Sequence, residues 1–398
     1  MVLGGDAGRV PTEVTLDNWQ SASHLHWTFQ HVADFLPTAV IGRGVGPVAE
    51  LPVATDQAGL SEIPLDDKTN GRRTTVGDVM AATATDGWIV VHQGRVLAEQ
   101  YYSGMTPDTS HLLMSVSKSL VGMVAGNLVS NGVLDVEAEL THYVPALAAS
   151  GYAGATVRHL LDMRSGIAFS EDYLNPMAEV RLLEQAIGWA PRTVPELPTT
   201  MYDYLVTLRQ ASPHGGPFHY RSCETDILGW ICEAVGGLRM PELMSAVLWS
   251  RLGAENNATI GVDAVGTGMF DGGINACLRD LVRFGSLYLH GGTSMTGEQV
   301  VAPSWIADTV DGGIDSRDAF AASPDDNRMP GGMYRNQCWF PHPGNNVLLC
   351  LGIHGQMIYV NRAAGLVAAK LSSWPLPQDA GKLFPTIAAF DEIAAQLS

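Results

Sequence analysis

Lysine is nearly missing from this chain. Only Lys68, Lys118, Lys370 and Lys382 occur in 398 residues, and arginine supplies the rest of the 23 basic side chains, which face 41 acidic ones. The formal charge of −18 leaves no basic patch of the kind that nucleic acid or an anionic membrane surface needs. At most it favours a cationic ligand. Cysteine is sparse too: Cys223, Cys232, Cys277, Cys338 and Cys350 are odd in number, widely spaced and never C-x-x-C. Neither a disulfide framework nor a zinc knuckle is expected, and free thiols in a reducing compartment are. No apolar run reaches the roughly 18 residues of a membrane helix. Met1 to Pro11 lacks a basic stretch followed by an apolar one, so a cytoplasmic protein is expected. H-E-x-x-H does not occur, and His24, His26 and His31 lack partner carboxylates at helical spacing, so they read as surface histidines and no metal or other cofactor is implied. Missing as well are G-x-S-x-G, the P-loop and a G-x-G-x-x-G opening a βα unit.

Against these absences, one stretch carries chemistry. In Leu112-Leu113-Met114-Ser115-Val116-Ser117-Lys118-Ser119-Leu120 a serine stands three residues before a lysine. The apolar positions 116, 120, 124 and 128 have helical spacing, and residues three apart share a helix face. Ser115 and Lys118 can therefore meet. A serine beside a basic lysine is a nucleophile built without histidine. Arginine cannot release its proton, whereas a buried lysine can, and both burial and the positive end of a helix lower a lysine pKa. Lys118 is thus expected to be a neutral amine.

The rest of the chain frames this element. Gly87 to His92 and Arg95 to Tyr102 flank Gln93-Gly94, a hairpin signature. Helices are expected over 115–130, 156–163, 178–187, 199–210, 224–236, 240–251, 279–291 and Phe384 to Leu397. Strands are expected at Gln337 to Phe340, Val347 to Ile353, Gln356 to Val360 and Leu366 to Leu371, with strand-like runs nearly absent between about 165 and 275. Strands at both ends bracketing a helical middle predict an α+β fold: one antiparallel sheet built from both ends of the chain, flanked by helices, plus a mostly helical insertion. The expected division is a wrapping segment 1–80, a sheet domain of 81–160 and 270–398, and a helical domain of 161–269. Tyr220, between Gly215-Gly216-Pro217 and a helix, is either a packing residue or a proton carrier, and its polar neighbours favour the latter. In Gly352-Ile353-His354-Gly355-Gln356 the glycines mark a close backbone approach or a bulge.

The chain from about residue 85 resembles the serine β-lactamase-like family of class C β-lactamases, DD-peptidases and carboxylesterases, in which S-x-x-K is a signature. Thr156-Val157-Arg158-His159-Leu160-Leu161 with Ser165-Gly166-Ile167, Phe218-His219-Tyr220-Arg221-Ser222, and Gly272-Gly273 followed by Arg279-Asp280-Leu281-Val282-Arg283-Phe284-Gly285 are similar to further stretches of that family. Within it, the runs His111 to Leu120, Glu171-Asp172-Tyr173, Gly352 to Gln356 and Leu371 to Pro375 are most similar to the nylon-oligomer amidases, the 6-aminohexanoate-linear-dimer hydrolases. The resemblance implies a β-lactamase/transpeptidase-like fold and a hydrolase of short linear amides and esters. It makes Ser115 the nucleophile, Lys118 its activator and Tyr220 the proton shuttle. The oxyanion hole would be the backbone N–H groups of Ser115 and Ile353. Tyr173 would close over the scissile amide; Glu184 and Asp271 would hold a substrate ammonium, and His354 would lie on the substrate side. The second motif ends in Ser222 rather than Asn. Cys350-Leu351-Gly352 stands where K-T-G is usual, which disfavours β-lactams and peptides. A short-chain carboxylesterase is the alternative; an inactive binding homologue would need a lost nucleophile, lysine or tyrosine, and all three are present. A small-molecule substrate is the expected partner, with no nucleic acid and no membrane, and a homodimer is compatible with these observations.

Overall fold

The computed structural model describes residues 11–397 apart from 12, 55–58 and 67–72. Lys68 and residues 1–10 of the N-terminal reading lie outside the described residues. The expected hairpin is present as β1 (Thr85–His92) and β2 (Arg95–Tyr101). Gln93 and Gly94 at its tip have φ of 48° and 75°, the left-handed pair whose twist suits a two-residue hairpin. At the other end of the chain lie β3 (Met333–Arg335), β4 (Cys338–Phe340), β5 (Val347–Gly352), β6 (Gln356–Asn361) and β7 (Leu366–Ser372). The seven strands form one sheet in the order β2-β1-β7-β6-β5-β4-β3, and each neighbouring pair is antiparallel. The hairpin joins the C-terminal strands through β1 and β7, in register from Leu366 opposite His92 to Lys370 opposite Trp88. The sheet is built from both ends of the chain, as the alternation of strand-like and helical stretches implied.

Helices cover both faces. Successive side chains of a strand point to opposite faces. Ile89 and Val91 of β1 accordingly join one core with α1 (Val116–Ser130), α2 (Ser222–Gly236) and α3 (Leu278–Leu289). Trp88 and Val90 join another, with α4 (Ala380–Leu397) and the helix Val76–Ala82. Every fully buried Val, Ile or Leu adds about 1.5–3 kcal/mol, which is why β1 and β7 read as continuous apolar runs rather than alternating ones. In α1 the residues from Val116 to Leu128 are all buried. The period of four that marks the helix in sequence therefore names one face of an element that has no solvent face over most of its length.

The sequence did not announce a second sheet of four short strands, ordered Thr38–Ile41, Ala258–Gly261, Ile274–Cys277, Ser110–Leu112. Strands of three or four residues are too short to show a period. Two of them fall in or at the edge of the stretch expected to be strand-poor, and one comes from the segment before residue 80. This sheet matters because Ser110–Leu112 leads directly into Ser115. The helix expected over 199–210 stops at Met201–Leu205, because Ile167 and Gln210 form an antiparallel bridge and Ala168 donates to the Arg209 carbonyl. The helix expected over 240–251 is Met240–Val247 followed by a 3-10 turn.

Candidate active site

Ser115 is the residue that enters α1, and its side chain is 8% exposed. The residue before it, Met114, is held at φ 47°, a left-handed conformation that costs a non-glycine residue about 1–3 kcal/mol and persists only where packing enforces it. Here Leu113 donates to Ile274 of the second sheet while Val116 and Ser117 already donate back to Leu113 and Met114 as the helix begins. The kink between strand and helix is what presents Ser115 to a cavity of about 360 Å³.

One turn along α1, the Lys118 ammonium nitrogen lies 2.9 Å from Ser115 Oγ, 3.0 Å from Ser222 Oγ, 2.9 Å from the Asp271 carbonyl oxygen and 3.3 Å from Asp271 Oδ2. It sits 5.1 Å from the centre of the Tyr220 ring, and the Tyr220 hydroxyl faces both Ser115 and Lys118. Tyr220 is stacked on Trp339 of β4 at 5.4 Å. Its backbone is pinned by Arg221, which donates to the Ser165 carbonyl at 2.8 Å and pairs with Glu224 at 3.3 Å. Ser165 donates in turn to Glu224 at 2.6 Å, so the Ser165-Gly166 stretch serves to hold the tyrosine loop. On the opposite wall, β5 ends at Gly352. A Cβ there would lie 2.5 Å from the Leu113 carbonyl and 3.1 Å from the Ser115 nitrogen. The strand therefore reaches Ser115 only because the residue is glycine. Ile353 follows it on the cavity wall, which brings its backbone beside that of Ser115.

The electrostatics correct one expectation. Burial does pull the Lys118 pKa down, but its coupling to the Tyr220 hydroxyl and to the Asp271 and Glu171 carboxyls outweighs it and holds Lys118 above its ordinary value. The resting lysine is an ammonium, not the neutral amine that burial alone implied. Burial raises Tyr220 as well, against the pull of Lys118. Glu171 was not singled out from the sequence. It is raised by burial, accepts from the Ser222 backbone and the Tyr173 hydroxyl, and lines the same cavity as Ser115. It lies in the Glu171-Asp172-Tyr173 run quoted above, but only Tyr173 was assigned a role there, and its second partner, the Ser222 backbone at the start of α2, is distant in sequence.

The remaining expected residues are distributed as follows. Tyr173 lines the cavity. Asp271 is buried behind Lys118, its Oδ1 without a partner, and does not line the cavity. Glu184 is bound at 2.8 Å by Arg181 and lines a different cavity. His354 is buried, and its Nδ1 lies 2.6 Å from the Trp374 carbonyl oxygen. Burial lowers its pKa to about 4, so it is a neutral ring packed edge-on to Phe29. The three histidines near the start are exposed or half-buried, as expected; His26 also reaches the buried Asp86 and His31 stacks on Trp27. Among the described residues, no group of three or more His, Cys, Asp or Glu is placed to hold a metal ion, and no helix is long and apolar enough to cross a membrane. All five cysteines are free and buried.

Ser115 and Lys118 on one helix, Tyr220 from the loop before α2 and the end of β5 thus close one site. The β-lactamase family model matches residues 72–392, and the chain belongs to that family, as a serine hydrolase. Over 370 residues it is 38% identical to the 6-aminohexanoate-dimer hydrolase of Paenarthrobacter ureafaciens, covering 93% of this chain and 91% of that one. A structure from Bacillus anthracis provisionally named a 6-aminohexanoate-dimer hydrolase superimposes with a TM-score of 0.87 at 25% identity, covering 98% of this chain and 99% of the other. The fold is shared more distantly with EstCE1, a hydrolase with promiscuous acyltransferase activity, at a TM-score of 0.62 and 15% identity over 80% of this chain and 97% of that one.

Proposed function

We propose that this enzyme hydrolyses short linear amides of the 6-aminohexanoate-oligomer type, and carboxylic esters, through an acyl-enzyme on Ser115. The observation that carries the reading is the 2.9 Å contact of Lys118 with Ser115 Oγ at a cavity edge where Tyr220 and the Gly352-Ile353 backbone converge. Lys118 and Tyr220 share one ionisation: loss of a proton from the pair leaves a base beside Ser115, on either nitrogen or phenolate. That base takes the serine proton as Oγ attacks the substrate carbonyl. The backbone N–H groups of Ser115 and Ile353 stabilise the oxyanion, worth roughly 3 kcal/mol per donor. Tyr220 returns the proton to the leaving amine or alcohol, and water attacks the resulting ester in a mirrored second half-reaction.

The cavity lining supports simple substrates. Trp339, Leu351, Met329 and Leu383 make its walls largely apolar, and Arg328 is the one arginine or lysine among its described lining residues. Cys350, at the position of the usual motif lysine, is buried in the core. The same apolar walls favour a second reading, a short-chain carboxylesterase with weak amidase activity. Assaying a p-nitrophenyl ester beside a 6-aminohexanoate dimer separates the two. For the shared mechanism, Ser115→Ala is expected to abolish turnover and to prevent labelling by a serine-reactive phosphonate, detected as a mass shift of the intact chain. Turnover retained by that variant rejects the mechanism.

A further inference from the structure

Apart from His219, the charged side chains in the described lining of the catalytic cavity are Glu171, Asp325, Arg328 and Asp379. They are not equally satisfied. Glu171 accepts from the Tyr173 hydroxyl and the Ser222 backbone, and Asp379 is paired with Lys382. Arg328 and Asp325 differ. Their closest approach is 3.9 Å, between Arg328 Nη1 and Asp325 Oδ1, which is too long for a hydrogen bond. Burial raises the Asp325 pKa against the pull of Arg328, so the pairing does not offset the cost of burying that carboxyl. The 3-10 turn Pro324–Asn327 fixes where the two stand. Ser323 caps the turn by accepting from the Asp325 N–H, and the Arg328 and Met329 N–H groups both donate to the Asp325 carbonyl.

The place of this turn gives the guanidinium a use. Tyr220 stacks on Trp339, with ring centres 5.4 Å apart, and Met329 is buried in the apolar cluster against which both rings pack. Arg328 adjoins Met329 in the chain and lines the cavity with it. The wall from Tyr220 to the guanidinium is therefore apolar, and it starts at the hydroxyl that protonates the leaving group in the proposed mechanism. A leaving amine or alcohol with a carboxylate at its far end would lay its methylenes on Trp339 and Met329. Its two oxygens would give the guanidinium the hydrogen bonds that Asp325 does not. We propose that Arg328 binds the terminal carboxylate of the leaving half of the substrate, and so makes the enzyme prefer leaving groups that end in a carboxylate over uncharged ones of the same length. The inference rests on the hydrolase reading above and names the residue that recognises the carboxylate end of a 6-aminohexanoate oligomer. It concerns the leaving half alone, not the ammonium-bearing acyl half.

Two matched pairs of substrates test it on the intact chain. One pair is the linear 6-aminohexanoate dimer and its terminal carboxamide; the other is 6-butanoyloxyhexanoate and its terminal carboxamide. Within a pair the acyl half is the same, so only the charge of the leaving half differs. The readout is the ratio of kcat/KM values, carboxylate over carboxamide, from mass spectrometry of the released product. The unaltered enzyme is expected to favour the carboxylate. Arg328→Gln is expected to lower the ratio roughly fivefold, through KM: the Arg328 side chain is 43% exposed, and solvent holds the attraction to that scale. Arg328→Lys keeps the charge but not the planar fork, and its ratio is expected to fall between the two. Asp325→Asn removes the charge that opposes an incoming carboxylate and is expected to raise the ratio, a second reading that stands even if Arg328→Gln fails to fold. An unaltered enzyme without preference, or a ratio that neither Arg328→Gln nor Asp325→Asn moves, overturns the inference while leaving the hydrolase intact. If the unaltered enzyme cleaves none of these substrates and Ser115 takes no phosphonate, the hydrolase reading fails and this inference falls with it.

Discussion

Replacing Asp271 by asparagine asks how Lys118 is held beside Ser115. Asp271 Oδ2 lies 3.3 Å from the Lys118 nitrogen, with both side chains buried. At an effective dielectric of about 20, two unit charges at that separation interact by about 5 kcal/mol, or about 3–4 pKa units at about 1.4 kcal/mol each. That is an upper limit. The Asp271 carbonyl at 2.9 Å stays in the variant, Glu171 still bears on Lys118, and the asparagine oxygen can accept from the ammonium. A fall of about 1–2 units in the Lys118 pKa is the expected outcome. The sign follows from the proposed mechanism. Lys118 is held above its ordinary value, and its pair with Tyr220 must lose a proton before Ser115 can attack, so kcat/KM rises with pH into the alkaline range. Removing one anion makes that proton easier to lose, and the rising limb moves to lower pH. The assay is kcat/KM for a p-nitrophenyl ester from neutral to alkaline pH, with spontaneous hydrolysis subtracted and thermal melting followed in parallel. A limb that stays in place, or moves upward, with the fold intact refutes the reasoning.

Two further outcomes follow from the geometry. Gly352→Ala places a methyl 2.5 Å from the Leu113 carbonyl, so β5 must withdraw from Ser115. Turnover is expected to fall on the order of a hundredfold through kcat with little change in melting temperature, and an unaffected kcat removes Ile353 from the oxyanion site. Lys370, the second fully buried lysine, has its pKa pushed down by burial to about 7. Between that value and its unfolded value of about 10.4 the unfolded chain holds a proton that the folded chain does not, so stability rises with pH across that window. Lys370→Met is expected to flatten the rise by up to about 5 kcal/mol in urea unfolding measured at neutral and alkaline pH. An unchanged slope rejects the assignment.

What could be read from the sequence is what depends on nearby residues. Ser115 and Lys118 meet because a helix puts positions three apart on one face. The β1–β2 hairpin follows from Gln93-Gly94, and β4 to β7 follow from apolar runs broken by turn residues. The sheet's assembly from both chain ends came from the order of those elements. The second sheet escaped because its strands are too short for a period, although it is what delivers Ser115 to the cavity.

The sequence by itself determined that Ser115 and Lys118 meet and which elements carry them, because covalent spacing and helix geometry suffice for that. Only the tertiary structure decided how those groups are charged and which carboxylates are free. Lys118 is held above its ordinary pKa because Tyr220, Asp271, 153 residues away in the chain, and Glu171 are folded against it. Asp271 faces that lysine rather than substrate, and Glu184 is held by Arg181 and Gln20. His354 is a neutral ring because folding buries it, against the pull of the Trp374 carbonyl. Ionisation depends on distance and burial in space, and no local pattern of residues encodes either.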